Sequence, residues 1–236
     1  MCRHPAAMAF CGTRRRILTR PTNESGCALN WEEGVIMFLD PTKPLTTCSQ
    51  SSCVGCQVAD LVHCHFTGKD LGRFIGVFVV AVGIAGVGVY RANPWLILPW
   101  IALAVGYFGF IEIRVMCSHC PHYAEPGSSL KCWANYGSPK LWGYRPGPMT
   151  GAEKSVFLAG ITLVLGYPLP LLIHQWALAA LYLFIIAGAY GYMRTFMCSQ
   201  CMNFACPLNL VDNHTKDAFL RLNPGIAQAW GRTDSG

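Results

Sequence analysis

Four long apolar stretches constrain this chain more than any other feature of its sequence. Residues 74–90, 94–111, 155–173 and 176–193 contain no Asp, Glu, Lys or Arg. Each is close to the ~17–25 residues that an α-helix needs to cross ~30 Å of membrane hydrocarbon. A single stretch of this kind also fits a buried helix of a soluble protein, but four of them in 236 residues do not. We therefore predict an all-α integral membrane protein with four transmembrane helices.

The composition supports this fold class and excludes a soluble or disordered chain. Charged residues make up 13% of the sequence and hydrophobic residues 53%, whereas soluble domains carry about 25% charged residues. Mean hydropathy is +0.34. So few charges cannot cover the surface of a soluble domain, and so apolar a chain does not stay disordered.

Short connections predict that the helices form two hairpins. Only residues 91–93 separate the first two stretches, and only residues 174–175 separate the last two. The resulting division of the chain has six parts. They are a misannotated or disordered leader (1–36), a Cys-rich cytoplasmic segment (37–73), transmembrane hairpin 1 (74–115), a Cys/Pro/Gly-rich cytoplasmic loop (116–154), transmembrane hairpin 2 (155–197) and a Cys-rich cytoplasmic tail (198–236).

Lysine and arginine predict the orientation in the membrane. Of the 18 Lys and Arg residues, only Arg91 lies in one of the two short turns. Positively charged residues concentrate in cytoplasmic segments of membrane proteins. We therefore expect a multi-pass protein of the cytoplasmic (inner) membrane, with both termini and the 116–154 loop in the cytoplasm.

The first 36 residues show no signal-peptide pattern, because no apolar core follows the basic run at 14–16. The codons for residues 31–34, Trp-Glu-Glu-Gly, must be rich in G and A and resemble a ribosome-binding sequence upstream of Met37. We interpret Met37 as the biological start. The alternative is a basic cytosolic tail.

Cysteine is the second unusual feature of the composition. The chain has 13 Cys, and the ten after residue 36 all fall outside the apolar stretches, on the predicted cytoplasmic side. They form three clusters. The clusters are Cys48, Cys53, Cys56 and Cys64; Cys117 and Cys120 with Cys132 beyond them; and Cys198, Cys201 and Cys206.

Two of these clusters belong to an internal repeat. Met116 begins the sequence Met-Cys-Ser-His-Cys after the second apolar stretch, and Met197 begins Met-Cys-Ser-Gln-Cys after the fourth. Two equivalent hairpins packed side by side bring their Cys-x-x-Cys pairs to the same membrane face. The repeat therefore predicts that Cys117, Cys120, Cys198 and Cys201 share one site.

Metal ligation is the chemistry that these thiols favour. Disulfides are disfavoured in a reducing cytoplasm, and two Cys-x-x-Cys pairs supply the four thiolates of a tetrahedral zinc site. Iron–sulfur clusters use the same four thiolates, so the sequence leaves zinc and iron–sulfur undecided. Thiol–disulfide exchange and buried packing thiols stay as alternatives. Further candidate ligands are Cys48, Cys53, Cys56, Cys64, Cys132, Cys206, His119 and His122.

Haem, phosphate binding and nucleic-acid binding are not indicated. The apolar stretches contain no internal His for a haem iron, and no phosphate-binding Gly loop, catalytic triad or basic nucleic-acid stripe is present. Glu112 lies just beyond the second stretch, where we expect it to pair with Arg114 or Arg194.

The sequence therefore predicts a metalloprotein of the cytoplasmic membrane whose cytosolic Cys-rich cap carries an iron–sulfur or zinc site. Its expected role is that of an electron-transfer membrane subunit with a protein partner at the cytoplasmic face. The alternatives are a zinc-stabilised membrane scaffold that docks a soluble partner and a transporter or handler of a soft metal. The sequence does not determine whether the protein is an enzyme.

Overall fold

The computed structural model describes residues 39–232. The predicted leader (1–36) and the proposed start at Met37 lie outside the described residues. Within the described part of the chain all regular secondary structure is helical, and that part also includes an isolated β-bridge between Ser129 and Pro139. The all-α prediction is confirmed to this extent.

Four of the helices are long and apolar enough to span a membrane, as the sequence predicted. They are Gly68–Ala92, Pro94–His119, Gly151–Leu172 and Trp176–Gln200, called here the first to the fourth span. No more than 22% of the most apolar window of any span is buried within the protein. The exposed remainder is rich in Val, Leu, Ile and Phe, which is typical of a surface in contact with lipid.

The spans are built from shorter helical segments. The α-helices of the described chain are α1 (Gly68–Ala92), α2 (Ile97–Gly106), α3 (Glu112–Val115), α4 (Gly151–Gly166), α5 (Leu169–Leu172), α6 (Trp176–Tyr192), α7 (Asn213–Leu222) and α8 (Pro224–Ala229). Two π-helical segments, Tyr107–Ile111 and Met193–Met197, interrupt the second and fourth spans.

Reciprocal capping boxes fix the starts of the first and third spans. Thr67 accepts a hydrogen bond from the backbone N–H of Asp70, and the Asp70 carboxylate accepts one from the backbone N–H of Thr67. Thr150 and Glu153 make the same pair at the start of α4. Each box satisfies two backbone donors that a helix terminus otherwise leaves without partners, so both starts are fixed locally.

Close helix contacts hold the spans together. The first span packs mainly against the fourth, and the second contacts the third. Gly88 of α1 lies against Leu172, and Gly160 of α4 lies against the ring of Tyr107, so that a Cβ at either glycine would collide with its neighbour. Small residues at such crossings let helix backbones approach closely. The arrangement of the spans as two hairpins stays a prediction.

The sequence of the C-terminal tail predicts two short helices, the first capped by Asp212 or Asn213 and the second started by Asn223-Pro224, and the structure contains both. The Asp212 side chain caps α7 by accepting a hydrogen bond from the N–H of Thr215. Pro224 begins α8 as expected, but Asn223 does not cap it with its side chain. Asn223 instead donates to the Phe219 carbonyl and accepts from the Thr47 hydroxyl, because it is buried between the tail and the segment that precedes the first span.

Candidate metal centre

The sequence repeat has a structural counterpart. After Met116 and after Met197 the backbone makes one 3-10 turn, Cys117–His119 in the first unit and Cys198–Gln200 in the second. The second Cys of each pair is extended, with φ/ψ of −78°/137° at Cys120 and −77°/127° at Cys201. The two stretches match at four of their five positions and take the same local fold at the ends of the second and fourth spans.

A serine hydroxyl closes each of these turns in the same way. Ser118 Oγ donates to the Arg114 carbonyl at 2.6 Å, and Ser199 Oγ donates to the Thr195 carbonyl at 2.7 Å. Each bond reaches back four residues and satisfies a carbonyl at the end of a span. Arg114 and Thr195 therefore occupy equivalent positions in the two units.

The two repeat units meet at one cavity of about 150 Å³. Its wall contains both Cys-x-x-Cys pairs and also Cys132 and Cys206, so three separate parts of the chain supply six thiols. We call this cavity the six-thiol chamber, and its cysteines are Cys117, Cys120, Cys132, Cys198, Cys201 and Cys206. The structure therefore brings together the four thiols predicted to share a site and adds the two that were predicted as further ligands.

Burial favours the protonated form of the chamber thiols that lie outside the spans. Burial raises the pKa of the Cys120 thiol well above its usual range, and the nearby Cys201 and Cys132 raise it further. Burial likewise raises the pKa of Cys206 to about 12, with a further contribution from Cys198. These couplings connect the two repeat units and show that their thiols are close enough to influence one another electrostatically.

The chamber wall also contains polar atoms without hydrogen-bond partners. His122 is 1% exposed, and neither nitrogen of its imidazole ring has a partner. Burial lowers the pKa of His122 to about 3, which leaves the ring neutral at pH 7. Asn203 Oδ1 is a second unpartnered atom on the same wall. Buried polar groups are almost always satisfied, so these atoms point to an additional group in the chamber.

Asn135 and Glu112 lie together on the wall of the chamber. The side-chain amide of Asn135 donates to Cys117 Sγ at 3.2 Å, and the backbone N–H of Asn135 donates to Cys132 Sγ at 3.4 Å. Glu112, which is 7% exposed, lines the same cavity as Asn135. Nothing in the sequence marked Asn135, because its partners lie 3 and 18 residues before it.

The predicted pairing of Glu112 with Arg114 or Arg194 is wrong. Arg114 instead lies 3.8 Å from Glu153, which also binds Arg145 at 2.6 Å. Arg194 donates to the hydroxyl of Tyr190. Glu153 takes these partners because the capping box holds its carboxylate at the start of α4, whereas Glu112 faces inward from the second span.

His119, a predicted alternative ligand, is directed away from the chamber. Its Nδ1 donates to the Gly147 carbonyl at 2.7 Å, and its Nε2 lies 3.6 Å from Glu153 Oε2. Of the two predicted histidine ligands, only His122 therefore lies on the chamber wall.

The first cysteine cluster forms a second group of thiols, which we call the four-thiol segment (residues 48–64). Burial raises the pKa of the Cys64 thiol to about 12, and Cys56, Cys53 and Cys48 raise it further. Cys48, Cys56 and Cys64 pack against the hydrophobic core formed with the tail helices. The four predicted ligands of this cluster are thus neighbours, and they come from one short stretch of chain.

All ten cysteines of the described residues are free thiols. In the part of the chain that the structure describes, no three His, Cys, Asp or Glu side chains stand together closely enough to hold a single metal ion. The thiols of the chamber are distributed around its wall instead of converging on one point. Metal ligation by any of the predicted residues stays a prediction.

Comparison of the chain with models of protein families, with curated proteins and with solved structures gives no match.

Proposed function

We propose that the six-thiol chamber holds an iron–sulfur cluster and that the protein transfers electrons at the cytoplasmic membrane. The observation that carries this proposal is the distribution of six thiols around one cavity of about 150 Å³. Thiols that converge on one point can bind a single metal ion, whereas thiols that line an enclosed space can bind a cluster of several atoms.

Geometry favours a cluster over one zinc ion in the chamber. Zn–S bonds of ~2.3 Å hold four sulfurs within ~4 Å of one another around a closed tetrahedron. In an iron–sulfur cluster the thiolates bind different irons, one thiolate per iron in a four-iron cluster and two per iron in a two-iron cluster. The cysteines therefore stand farther apart than around one zinc ion, and they surround the volume of the cluster.

The chain's own residues suit such a group in two further ways. Asn135 supplies N–H donors to two of the sulfurs, and hydrogen bonds to sulfur tune the reduction potential of a cluster. The unpartnered ring nitrogens of His122 supply a nitrogen ligand or a donor at the same wall. A bound cluster supplies one-electron redox chemistry, and the protein supplies the thiolates, the burial and the hydrogen bonds around it.

The membrane setting is part of this proposal. The four spans support a multi-pass protein, and the distribution of Lys and Arg favours a cytoplasmic position for the chamber, the four-thiol segment and the tail, which together form the Cys-rich cap. A cluster at this face is accessible to a soluble electron-carrier protein, which we propose as the partner.

The four-thiol segment supports a second candidate function, a zinc-stabilised scaffold that docks a soluble partner. Its four thiols lie within 17 residues and are neighbours, as in structural zinc sites formed by short loops. The segment packs on the core of the tail through Cys48, Cys56 and Cys64. Zinc there would hold the segment and the tail together whether or not the chamber carries a cluster.

Metal analysis of the full chain separates the two candidates. The protein is purified without oxygen in detergent, and its iron, zinc, acid-labile sulfide and visible spectrum are measured. Iron with sulfide and broad visible absorbance supports the electron-transfer function. Zinc alone with a colourless protein overturns it and leaves the scaffold.

The orientation is tested by labelling intact cells with a membrane-impermeant thiol reagent. A Cys introduced at Asn93, in the turn between the first two spans, should react, whereas Cys117, Cys120, Cys198 and Cys201 should not. The opposite pattern inverts the topology and makes disulfides and thiol exchange the better interpretation of the cysteines.

A further inference from the structure

A second cavity, of about 340 Å³, lies next to the six-thiol chamber on its membrane side. It opens between the first and second spans and is closed by the third and fourth. We call it the aromatic cavity because five of its fourteen lining residues carry aromatic rings. Those rings belong to Phe74, Phe78, Trp100, Phe108 and Tyr182. Its size and its apolar lining are those of a binding site for a small organic molecule.

The aromatic cavity has an edge that faces the lipid. Val82 of the first span and Ile101 of the second line it, and they are 53% and 51% exposed. Both positions lie well inside their spans. A molecule dissolved in the bilayer can therefore reach the cavity without passing through water.

One end of the aromatic cavity is polar. Glu112 and Asn135 line both cavities and form their common wall with three Phe rings and Ala134. Glu112 is buried in the second span, and an ionisable residue inside a span is costly and marks a functional site. Asn135, which shares this wall with Glu112, donates a hydrogen bond to Cys117 of the chamber.

We infer that the aromatic cavity binds the head group of a lipid-soluble quinone, with Glu112 and Asn135 as hydrogen-bond donors to one of its carbonyl oxygens. A flat ring with a polar oxygen at its edge matches a cavity with aromatic walls and two polar groups at one end. A saturated acyl chain matches the walls but leaves the polar end without a partner. The inference concerns binding, and only the role of the quinone as electron acceptor rests on the proposed function.

The redox step follows from the shared wall. A cluster held by the chamber cysteines would supply one-electron chemistry beside this wall. The quinone would then take up two electrons and two protons from water, one of the protons through Glu112, and would leave to the bilayer as the quinol. The electrons would be replaced from the reduced soluble carrier protein at the cytoplasmic face, which is oxidised in return.

Photolabelling tests the binding site directly. The full chain in lipid nanodiscs is irradiated with an azido-quinone that carries a short isoprenoid tail, and the labelled peptides are identified by mass spectrometry. We expect labelling of residues within 74–82 and 100–108, and competition by unmodified quinone. Labelling confined to the groove around Leu96 and Leu158, elsewhere on the lipid-facing surface, would overturn the inference.

Two variants of one helix provide a matched comparison. Ala104 lines the aromatic cavity, whereas Ala102 is exposed on the same helix and does not line it. Ala104→Phe fills the cavity and should reduce labelling at least tenfold, while Ala102→Phe should leave it unchanged. Equal labelling of both variants would contradict the inference. Glu112→Gln, which keeps the shape and removes the acid, should retain labelling but slow reduction of the quinone.

The same experiment distinguishes a failure of this inference from a failure of the proposed function. Labelling is repeated in Cys117→Ser protein, whose chamber is expected to lose its cluster. Because the inference concerns binding alone, the quinone should still label this variant. Labelling without iron or sulfide in the wild-type protein supports the quinone site and overturns the electron-transfer function. Iron and sulfide without specific labelling support that function and overturn the quinone site.

Discussion

The four-thiol segment and the six-thiol chamber use the same side chain in two different ways. The segment takes four cysteines from 17 consecutive residues, so its ligand set is fixed by local sequence. The chamber takes six cysteines from three parts of the chain, and the two Cys-x-x-Cys pairs among them are 81 residues apart. The segment can bring its donors together once its own turns form, whereas the chamber exists only after the spans have packed.

This difference teaches how far each site depends on the rest of the molecule. A change in span packing should damage the chamber and leave the four-thiol segment intact. A change within the segment should do the reverse. The following predictions test that independence, beginning with the largest expected effect.

Replacing one chamber thiol should have the largest effect on metal content. Cys120→Ser substitutes a hydroxyl for a buried thiolate and should lose most of the chamber's iron, a larger loss than the ~10–100-fold weakening caused by changes around a site. Cys53→Ser, the matched change in the segment, should keep the iron. Iron and sulfide per protein are measured for both. Equal iron loss in both variants would mean that the two sites are one unit.

A double substitution asks whether the two repeat units share one cluster. If they do, Cys117→Ser and Cys198→Ser together should lose little more iron than either alone, because both remove the same site. Independent losses that add would indicate two sites, with Cys132 and Cys206 as the ligands that complete them.

Disturbing the span packing should have an intermediate effect that is confined to the chamber. An added methyl group at Gly160 collides with the Tyr107 ring, whose hydroxyl donates to the Phe157 carbonyl. Such overpacking costs ~1–3 kcal/mol, so Gly160→Ala should unfold earlier in a denaturant titration and lose iron on mild heating. Gly188→Ala, where the methyl group meets no neighbour, is the control. Zinc lost from the segment in Gly160→Ala would contradict the proposed independence.

Removing the Asn135 side chain should change the electronic properties of the chamber more than its occupancy. Asn135→Ala loses the donor to Cys117 Sγ, which stabilises the more negative reduced state of a cluster. The reduction potential, measured by a redox titration of the visible spectrum, should become more negative. Asn213→Ala, on the exposed start of α7, should leave the potential unchanged. A potential that shifts equally in both variants would show that Asn135 has no special role.

Loss of a helix cap at the junction of the two regions should have the smallest effect. Thr67 caps α1 immediately after the four-thiol segment, and replacing a Thr cap by Ala costs ~1 kcal/mol. Thr67→Ala should lower the thermal midpoint slightly and leave both metals bound. Thr162→Ala, an exposed position within the third span, serves as the comparison. Loss of metal from either site in Thr67→Ala would show that the junction couples the two regions.

The sequence predicted the features that depend on local composition. Hydropathy placed the four spans, Asp212 and Pro224 placed the tail helices, and the Met-Cys-Ser-x-Cys repeat predicted that two cysteine pairs share a site. It did not predict the role of Asn135, the inward direction of Glu112 or the separation of His119 from His122. Those depend on how one span turns relative to the next, and that rotation is set by packing between residues that are distant in sequence.

The π-helical segments of the second and fourth spans have a consequence for how this protein can change. A π turn holds one residue more than the α turn it replaces, and each residue of an α-helix turns the chain by ~100°. Because the π turn absorbs its extra residue, deleting Gly109 from Tyr107–Ile111 would restore a regular helix and leave the later positions of that span facing nearly the same way. Deleting a residue from the regular helix α2 (Ile97–Gly106) would instead turn every later position by ~100°, and Glu112 would leave the common wall. In the spans that end in the chamber, the π-helical segments are therefore the places where the loss of a single residue should be tolerated best.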